Sequence, residues 1–367
     1  MISFTQTLSN FGFFLFIIIQ SFAFIGHFKK DIYKKNEQLP FVSFIIAAWN
    51  EEPRIKDCVN SILQQEYPKN KIEIIVIGGG TDNTKKVCRN LEKKRKIKFI
   101  LEEKRMGKWY ALNLGIKKSK GNVLAFVDGD CTLEKKWLTK MVNKAGVFDL
   151  VISYQIPKTE RTYISKIYAI FTLYGYYLMR DLSKIFKVST FFGYGGIVKR
   201  KIIKKIKFEK SLVEDLRFCI KAKEMGFKIG FISSATVFHS PAKTIRDFRN
   251  ELLRGSYGIY SELIKKKDLI SVIYVFLPFI LIFNIPFLLL NIIVVDQFTM
   301  IFLTISFSIL FFYILFCSLD RGTARFIFYI PHLFFWSIFL LFINIEAIFR
   351  IIFKKEFGWP IIQKISK

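Results

Sequence analysis

Apolar residues fall along this chain in two kinds of run, long unbroken ones near its ends and short ones between. Residues 8–28 form a stretch without a formal charge, about one bilayer thick as a helix, and Lys29, Lys30, Lys34 and Lys35 follow it. No small-residue cleavage site stands out, so an uncleaved anchor is expected. The positive-inside rule then puts the amino terminus outside and the next domain in the cytoplasm. From about Pro40 to Leu263, short apolar runs alternate with stretches of helical period, the pattern of an α/β domain. Residues 41–47, 72–77, 98–101 and 123–127 read as strands, and the uninterrupted apolar run 123–127 as one buried on both faces. Pro53 with the periodic Ile55, Val59, Ile62 and Leu63 opens a helix, and residues 107–113 lead into another.

The later part of this region is less regular. Residues 163–179 are strongly aromatic and fit either a helix lying on a membrane surface or a core helix of the domain. Residues 191–198 are Gly-rich and enter a strand, a helix ends at Met225-Gly226, residues 228–232 are strand-like, and 246–260 carry several arginines in a helical context. Beyond it come three long apolar segments, 269–295, 298–318 and 326–353. Pro278 and Pro286 imply kinks or a break in the first of them. Three spans would leave Lys354, Lys355, Lys364 and Lys367 outside, against the positive-inside rule; a re-entrant or interfacial segment would reconcile the two. The expected division is an anchor over 1–35, a domain over 36–265, and a membrane region with a basic tail over 266–367.

Composition sharpens this picture. Hydrophobic residues make up 52% of the 367, yet Lys and Arg number 57 against 29 Asp and Glu, a net charge of +28. A membrane protein with a basic cytoplasmic part accounts for both, and the charge favours anionic headgroups and phosphorylated substrates. Nucleic acid would explain the charge too, but no nucleic-acid-binding motif is present. Cys58, Cys88, Cys131, Cys219 and Cys317 are scattered with no CxxC pair, which points to reduced thiols. His27, His239 and His332 show no metal-binding spacing.

The candidate chemistry gathers at strand ends. The run 123–127 stops at Asp128-Gly129-Asp130, two carboxylates one residue apart. Such a pair suits Mg²⁺ or Mn²⁺, hard cations that take oxygen ligands, though Asp and Gly also simply end strands in turns. Gly78-Gly79-Gly80-Thr81-Asp82 follows another strand and can either bring backbone N–H groups to a phosphate or make a tight turn. In an open α/β sheet, ligands bind beyond the carboxyl ends of the strands, and Glu51, Gly78 to Asp82, Lys108, Asp128 and Asp130 all fall there. Glu214-Asp215 reads as first-turn acids complementing a helix dipole, or as a general base.

In this order the motifs resemble membrane-bound family 2 glycosyltransferases, the group with a GT-A catalytic domain that includes cellulose and hyaluronan synthases. Val42 to Glu51 looks like the family's opening strand with its Asn-Glu. Gly107-Lys108 with Ala111-Leu112-Asn113 is similar to its Gly-Lys-x-x-Ala-Leu-Asn stretch, Asp128-Gly129-Asp130 to its metal-binding Asp-x-Asp, and Glu214-Asp215 to its Glu-Asp pair. The resemblance covers about Val42 to Gly255. It implies an α/β GT-A fold, Rossmann-like with a mostly parallel sheet, flanked by one amino-terminal and about three carboxyl-terminal transmembrane helices. It further implies a nucleotide-sugar donor held by Ala47, Asn50, Glu51, Gly78, Gly79, Lys108, Asp128 and Arg254. Asp128 and Asp130 would bind Mg²⁺ or Mn²⁺, and Asp215 would be the base of an inverting transfer to a lipid-linked or glycan acceptor. The protein would then be a multi-pass enzyme of the cell membrane with its catalytic domain cytoplasmic, in contact with the lipid bilayer and not with nucleic acid. Two departures bear on substrate. The family's base-contacting Asp near Ile77-Gly78 is missing, and the Gln-x-x-Arg-Trp of processive synthases is replaced by Arg249-Asn-Glu-Leu-Leu-Arg-Gly255. The second favours adding one or a few sugars over a processive polysaccharide synthase. A catalytically inactive membrane scaffold is the rival from another class, and a nucleotidyltransferase would leave Glu214-Asp215 unexplained.

Overall fold

The computed structural model describes residues 4–29, 39–159, 161–186, 193–266, 297–322 and 324–353. They form two compact units, one of Asp31–Glu160 with Ser189–Lys243, the other of Met1–Lys30, Arg161–Val188 and Thr244–Ile362.

The first unit is built on an eight-stranded sheet. Its strands are β1 (Val42–Trp49), β2 (Ile72–Gly79), β3 (Lys98–Leu101), β4 (Val123–Val127), β5 (Thr132–Leu133), β6 (Leu150–Pro157), β7 (Gly195–Lys199) and β8 (Ile229–His239), in spatial order β3-β2-β1-β4-β7-β6-β8-β5. The β3-β2-β1-β4 half is parallel, as expected of strands joined through helices. β7 then runs antiparallel between β4 and β6, and β5 antiparallel beside β8, so the sheet is mixed. The strands follow the apolar runs and extend one or two of them by a residue or two, β1 and β2 ending at Trp49 and Gly79.

The helices α1 (Phe4–Phe28), α2 (Ile55–Leu63), α3 (Thr84–Lys93), α4 (Lys108–Lys118), α5 (Trp137–Lys144), α6 (Tyr163–Ser183), α7 (Arg200–Ile203), α8 (Glu214–Glu224) and α9 (Ile245–Lys266) follow in chain order. Alternate residues of β1, Val42, Phe44, Ile46 and Ala48, face a core shared with Ile55, Cys58 and Val59 of α2, Cys88 and Leu91 of α3, and Trp137 and Met141 of α5. On the opposite face α4 lies so close that a Cβ on Gly115 would meet Ile45 and Ile77 side chains at 2.6 Å. Burial on both faces is why β4 is apolar at every position. Each such fully buried aliphatic side chain contributes about 1.5–3 kcal/mol.

The second unit is helical: α1, α6, α9, then α10 (Gln297–Asp320) and α11 (Ile330–Ile352). Among the described residues, two helices are long and apolar enough to cross a membrane, over Asn10–Phe28 and Met300–Asp320. The expected segment 269–295 lies outside the described residues. Segment 326–353 forms a short 3-10 turn, Arg325–Tyr329, and α11, whose last turns carry Glu346 paired with Arg249 and Arg350. Three carboxyl-terminal spans are therefore not what the described helices establish. The aromatic stretch 163–179 is α6, opened by a capping box between Thr162 and Ser165. Its apolar face is buried among the helices of this unit, with Leu173, Tyr174 and Tyr177 at 5% exposure or less. Around Asp181 the helical unit has a buried polar knot. Arg180 Nε donates to Asp181 Oδ1 at 2.7 Å and Arg180 Nη1 to Asp320 Oδ2 at 3.1 Å, while the Tyr313 hydroxyl donates to Asp181 Oδ2 at 2.9 Å.

Candidate active site

The carboxyl ends of β1, β2 and β4 are tied together before any ligand is considered. Asn50, just past β1, adopts φ +59° and donates its backbone N–H to the Gly79 carbonyl at 3.3 Å. Its side-chain oxygen accepts from Thr81 N at 2.8 Å, which locks the glycine turn against β1. Asp82 accepts from Glu52 N at 3.1 Å and from Thr84 N at 3.0 Å, holding the same loop against the start of α3. Burial works against the Asp82 carboxylate, but the Thr84 and Glu52 donors keep its pKa below the ordinary value. Asn50, Glu51 and the glycine turn are thus brought together as expected. In this structure Asn50 and Asp82 serve the loop's own architecture.

Asp128 and Asp130 leave β4 beside this loop. A Cβ on Gly129 would lie 3.3 Å from Glu51 Cγ and 3.5 Å from the Ala47 carbonyl, so Ala47 and Glu51 line the Asp-Gly-Asp turn directly. Asp128 N donates to Tyr194 O at 3.4 Å, and the Asp128 carbonyl accepts from Cys131 N at 3.1 Å. The Asp130 residue is 2% exposed, and its carbonyl accepts from Ser240 Oγ at 3.2 Å. A buried carboxylate one residue from a half-buried one, with oxygen donors on both, fits a hard divalent cation.

Lys108 joins this turn to the Glu-Asp pair. It opens α4 after Gly107, whose φ of +106° turns the chain sharply into the helix. Its Nζ lies 2.7 Å from Asp128 Oδ1 and 3.5 Å from Glu214 Oε1. Burial alone would lower the pKa of this ammonium, but the Asp128, Glu214 and Asp215 carboxylates hold it above its ordinary value. Glu214 is 3% exposed. Asp215, beside it in the first turn of α8, accepts from Gly193 N at 2.8 Å. Burial pushes the Asp215 pKa up, against the pull of Lys108 and of the Gly193 and Leu216 N–H groups.

The position of α8 comes from a distant motif residue. Asn113 clasps Phe208 through both its backbone groups, donating to the carbonyl at 2.8 Å and accepting from the N–H at 3.1 Å. The Phe208 ring in turn packs between Phe126 of β4 and Phe218 of α8. The Ala-Leu-Asn stretch therefore fastens the Glu-Asp helix to the central strand.

Sequence reading did not place two neighbours of the site, His239 and Lys158. His239 ends β8 fully buried, stacked on Tyr194 with ring centroids 4.4 Å apart, and so lies beside the Asp-Gly-Asp turn that Tyr194 and Ser240 hold. Lys158 donates its backbone N–H to the His239 carbonyl at 2.8 Å, and its ammonium is felt at Cys58 together with Asp130 and Asp128. These contacts come from β6 and β8, which meet only in the folded sheet. Of the other histidines, His27 lies with Asp181 and Cys317 in the helical unit, close enough for a shared ion. There Arg180 Nη2 contacts His27 Nδ1 at 3.0 Å and neutralises Asp181, so the cluster is an ion-pair knot. Arg254 lies on α9 of the helical unit, outside the unit that holds the other candidates.

With this geometry the chain can be set beside known proteins. The family model Glycosyl transferase family 2 matches residues 43–207. Glycosyltransferase AglE of Haloferax volcanii is 39% identical over 107 residues, 29% of this chain and 35% of that protein, so the match spans about a third of the relative. A Methanococcus voltae protein is 24% identical over 65% of this chain and 78% of its own length. It is named dolichyl N-acetyl-alpha-D-glucosaminyl phosphate 3-beta-D-2,3-diacetamido-2,3-dideoxy-beta-D-glucuronosyltransferase. In structure, the mannosyltransferase PcManGT from Pyrobaculum calidifontis, solved with GDP-Man and Mn²⁺, superposes with a TM-score of 0.70 at 19% identity. The match covers 96% of this chain and 99% of that one. The shared architecture is an α/β GT-A-like fold.

Proposed function

The chain carries a glycosyl transferase family 2 domain, and from that premise we propose that it moves a sugar from a nucleoside-diphosphate sugar to a hydroxyl of a membrane-associated, lipid-linked acceptor. One observation carries the reading: Lys108 links Asp128 of the Asp-Gly-Asp turn to Glu214, the neighbour of Asp215. A donor-side carboxylate and an acceptor-side base are thereby held in one arrangement.

Asp128 and Asp130 are the residues that would hold Mg²⁺ or Mn²⁺, with His239 next to them. Such an ion, when bound, neutralises charge developing on the departing nucleoside diphosphate. The Gly78-Gly79 turn and the Ala47–Glu51 segment line the donor side, and Lys108 adds a fixed positive charge there. Asp215 accepts the proton of the attacking hydroxyl as that oxygen displaces the diphosphate from the opposite face of the anomeric carbon, inverting it. Glu214 pairs with Lys108 and orients it.

A lipid-linked acceptor is supported by two apolar helices of membrane-crossing length in the same chain and by the dolichyl-phosphate acceptor in the Methanococcus voltae relative's name. In this reading the helical unit anchors the enzyme in the cell membrane as a multi-pass protein. The sheet unit works on the cytoplasmic side, a reading that the lysines after α1 support through the positive-inside rule.

The test is product analysis by mass spectrometry, with purified full-length protein offered a panel of nucleotide sugars and membrane lipid extract. The expected product is a lipid-linked glycan extended by one or a few sugars. A polymer ladder would favour a processive synthase, and no transfer from any donor would favour a scaffold.

A further inference from the structure

Strands β6 and β8 end together beside the Asp-Gly-Asp turn. Their register pairs Pro157 with His239, the last residue of each. Just beyond that pair, Lys158 N donates to the His239 carbonyl at 2.8 Å and Ser240 Oγ to the Asp130 carbonyl at 3.2 Å. The His239 ring stacks on Tyr194, whose carbonyl accepts from Asp128 N at 3.4 Å. The backbone of Lys158 is thus pinned next to residues that hold the turn, while the residue itself is exposed. Its charge reaches the Cys58 thiol ahead of those of Asp128 and Glu51. That thiol is buried, and its sulfur donates to the Asp128 carbonyl at 3.5 Å, so the ammonium stands close to the turn. Among the described residues Lys158 is in no ion pair. Lys108, by contrast, lies between Asp128 and Glu214. The two lysines also come from different halves of the sheet. The helix that Lys108 opens packs on Ile45 of β1 and Ile77 of β2, whereas β6 lies on the other side of β4, beyond β7.

We propose that Lys158 is a phosphate-binding residue of this site, a second cation that meets a phosphate group at the Asp-Gly-Asp turn from the β6–β8 side; the proposal rests on the donor-site reading above. The charge balance asks for such a residue. A divalent ion on Asp128 and Asp130 only cancels the two carboxylates, so the negative charge of a phosphate is left for side chains to meet. Lys108 is already opposed by two acids. An exposed ammonium without an acidic partner keeps its full attraction for an anion, and lysine binds phosphate as a compact point charge on a flexible stem. The proposed reaction brings phosphate from two sources, the diphosphate of the donor and the phosphate that joins the acceptor to its lipid. The two are separable by binding.

The experiment is calorimetric titration of the purified full chain, in detergent with Mg²⁺. The probes are GDP, UDP, ADP and CDP, the matching monophosphates, and polyprenyl phosphate beside phosphate-free polyprenol. Lys158→Met keeps the backbone N–H that pairs with His239 and removes the charge; Lys158→Arg keeps both. If the phosphate is the donor's, Lys158→Met is expected to weaken the preferred nucleoside diphosphate ~10-fold and leave its monophosphate unchanged. If it is the acceptor's, the same loss falls on polyprenyl phosphate and not on polyprenol. Lys158→Arg should retain most of the affinity in either case. A Lys158→Met protein that binds every probe as the wild type does would overturn the proposal. So would an equal loss in Lys86→Met, an exposed lysine of α3, because the effect would then belong to the general field of a chain of net charge +28. Failure of the wild-type protein to bind any nucleoside diphosphate is a different result: the donor-site reading itself falls, and the role of Lys158 with it.

Discussion

Lys108 is the side chain on which the two carboxylate groups of the site converge. Replacing it by Met leaves Glu214, 3% exposed, facing no cation from α4. Removing one partner of a buried pair is the costly change, on the order of 3 kcal/mol. Unfolding of Lys108→Met, Glu214→Gln and the double variant should show a coupling of about 0.5–3 kcal/mol, the double variant being more stable than the sum predicts. Asp215 is tested by rate. Asp215→Asn keeps the shape but removes the proton acceptor, so single-turnover transfer should fall ~10²–10⁴-fold while calorimetric donor affinity holds. Near-normal turnover would remove the base from the mechanism. The pH dependence has a definite sign. A base works only when ionised, and burial raises the Asp215 pKa. The acid limb of the kcat profile should therefore lie above the ordinary carboxylate range, with rate lost as pH falls through it. In Asp215→Asn that limb should disappear.

At the scale of elements, α4 is the lever that sets Lys108. It seats against β1 and β2 only because position 115 lacks a side chain. Gly115→Val would push the helix off Ile45 and Ile77 at an overpacking cost of about 1–3 kcal/mol. Because Lys108 is the first residue of that helix, the same variant should also weaken nucleotide binding. Thermal unfolding and donor titration on one preparation check both effects; a destabilised protein with intact donor affinity would uncouple α4 from the site. The existence of β1, β2 and β4 was legible because strands buried on both faces need apolar runs, whereas β3 is an edge strand with exposed ends. The two-residue β5 and the pairing of β6 with β7 and β8 were not, since those contacts join segments far apart in the chain, Thr132 of β5 pairing with Phe238 of β8. Lys158 was not singled out, and His239 was set aside for want of a metal-binding spacing, for that reason.

At the scale of the whole molecule, two properties should follow from the separate units. Chelation with EDTA should abolish transfer, and Mg²⁺ or Mn²⁺ should restore it in wild type but not in Asp130→Ala. Full restoration in that variant would move the ion elsewhere. The apolar helices Asn10–Phe28 and Met300–Asp320 should keep the protein in the membrane pellet after alkaline carbonate extraction. Release into the supernatant would reduce them to core helices.

Local order in the chain carried much of this. Apolar runs ending in Asp128-Gly129-Asp130 and Asn50-Glu51 mark strand ends. Strand direction in a parallel half-sheet then obliges those ends to share one edge. What a residue does once it arrives there depends on its neighbours in space. Asn50 and Asn113 read as site residues or motif members, and folding makes them fasteners of loops and of α8. Gly78 and Gly79 read as a phosphate-approaching or tight turn, and backbone oxygens from β1 and the end of β3 deny them any side chain. Glu102 is one acid among several in the sequence. Only the parallel pairing of β2 with β3 sets it, buried, against that glycine turn, because hydrogen-bond register and close packing are long-range properties that no local pattern encodes.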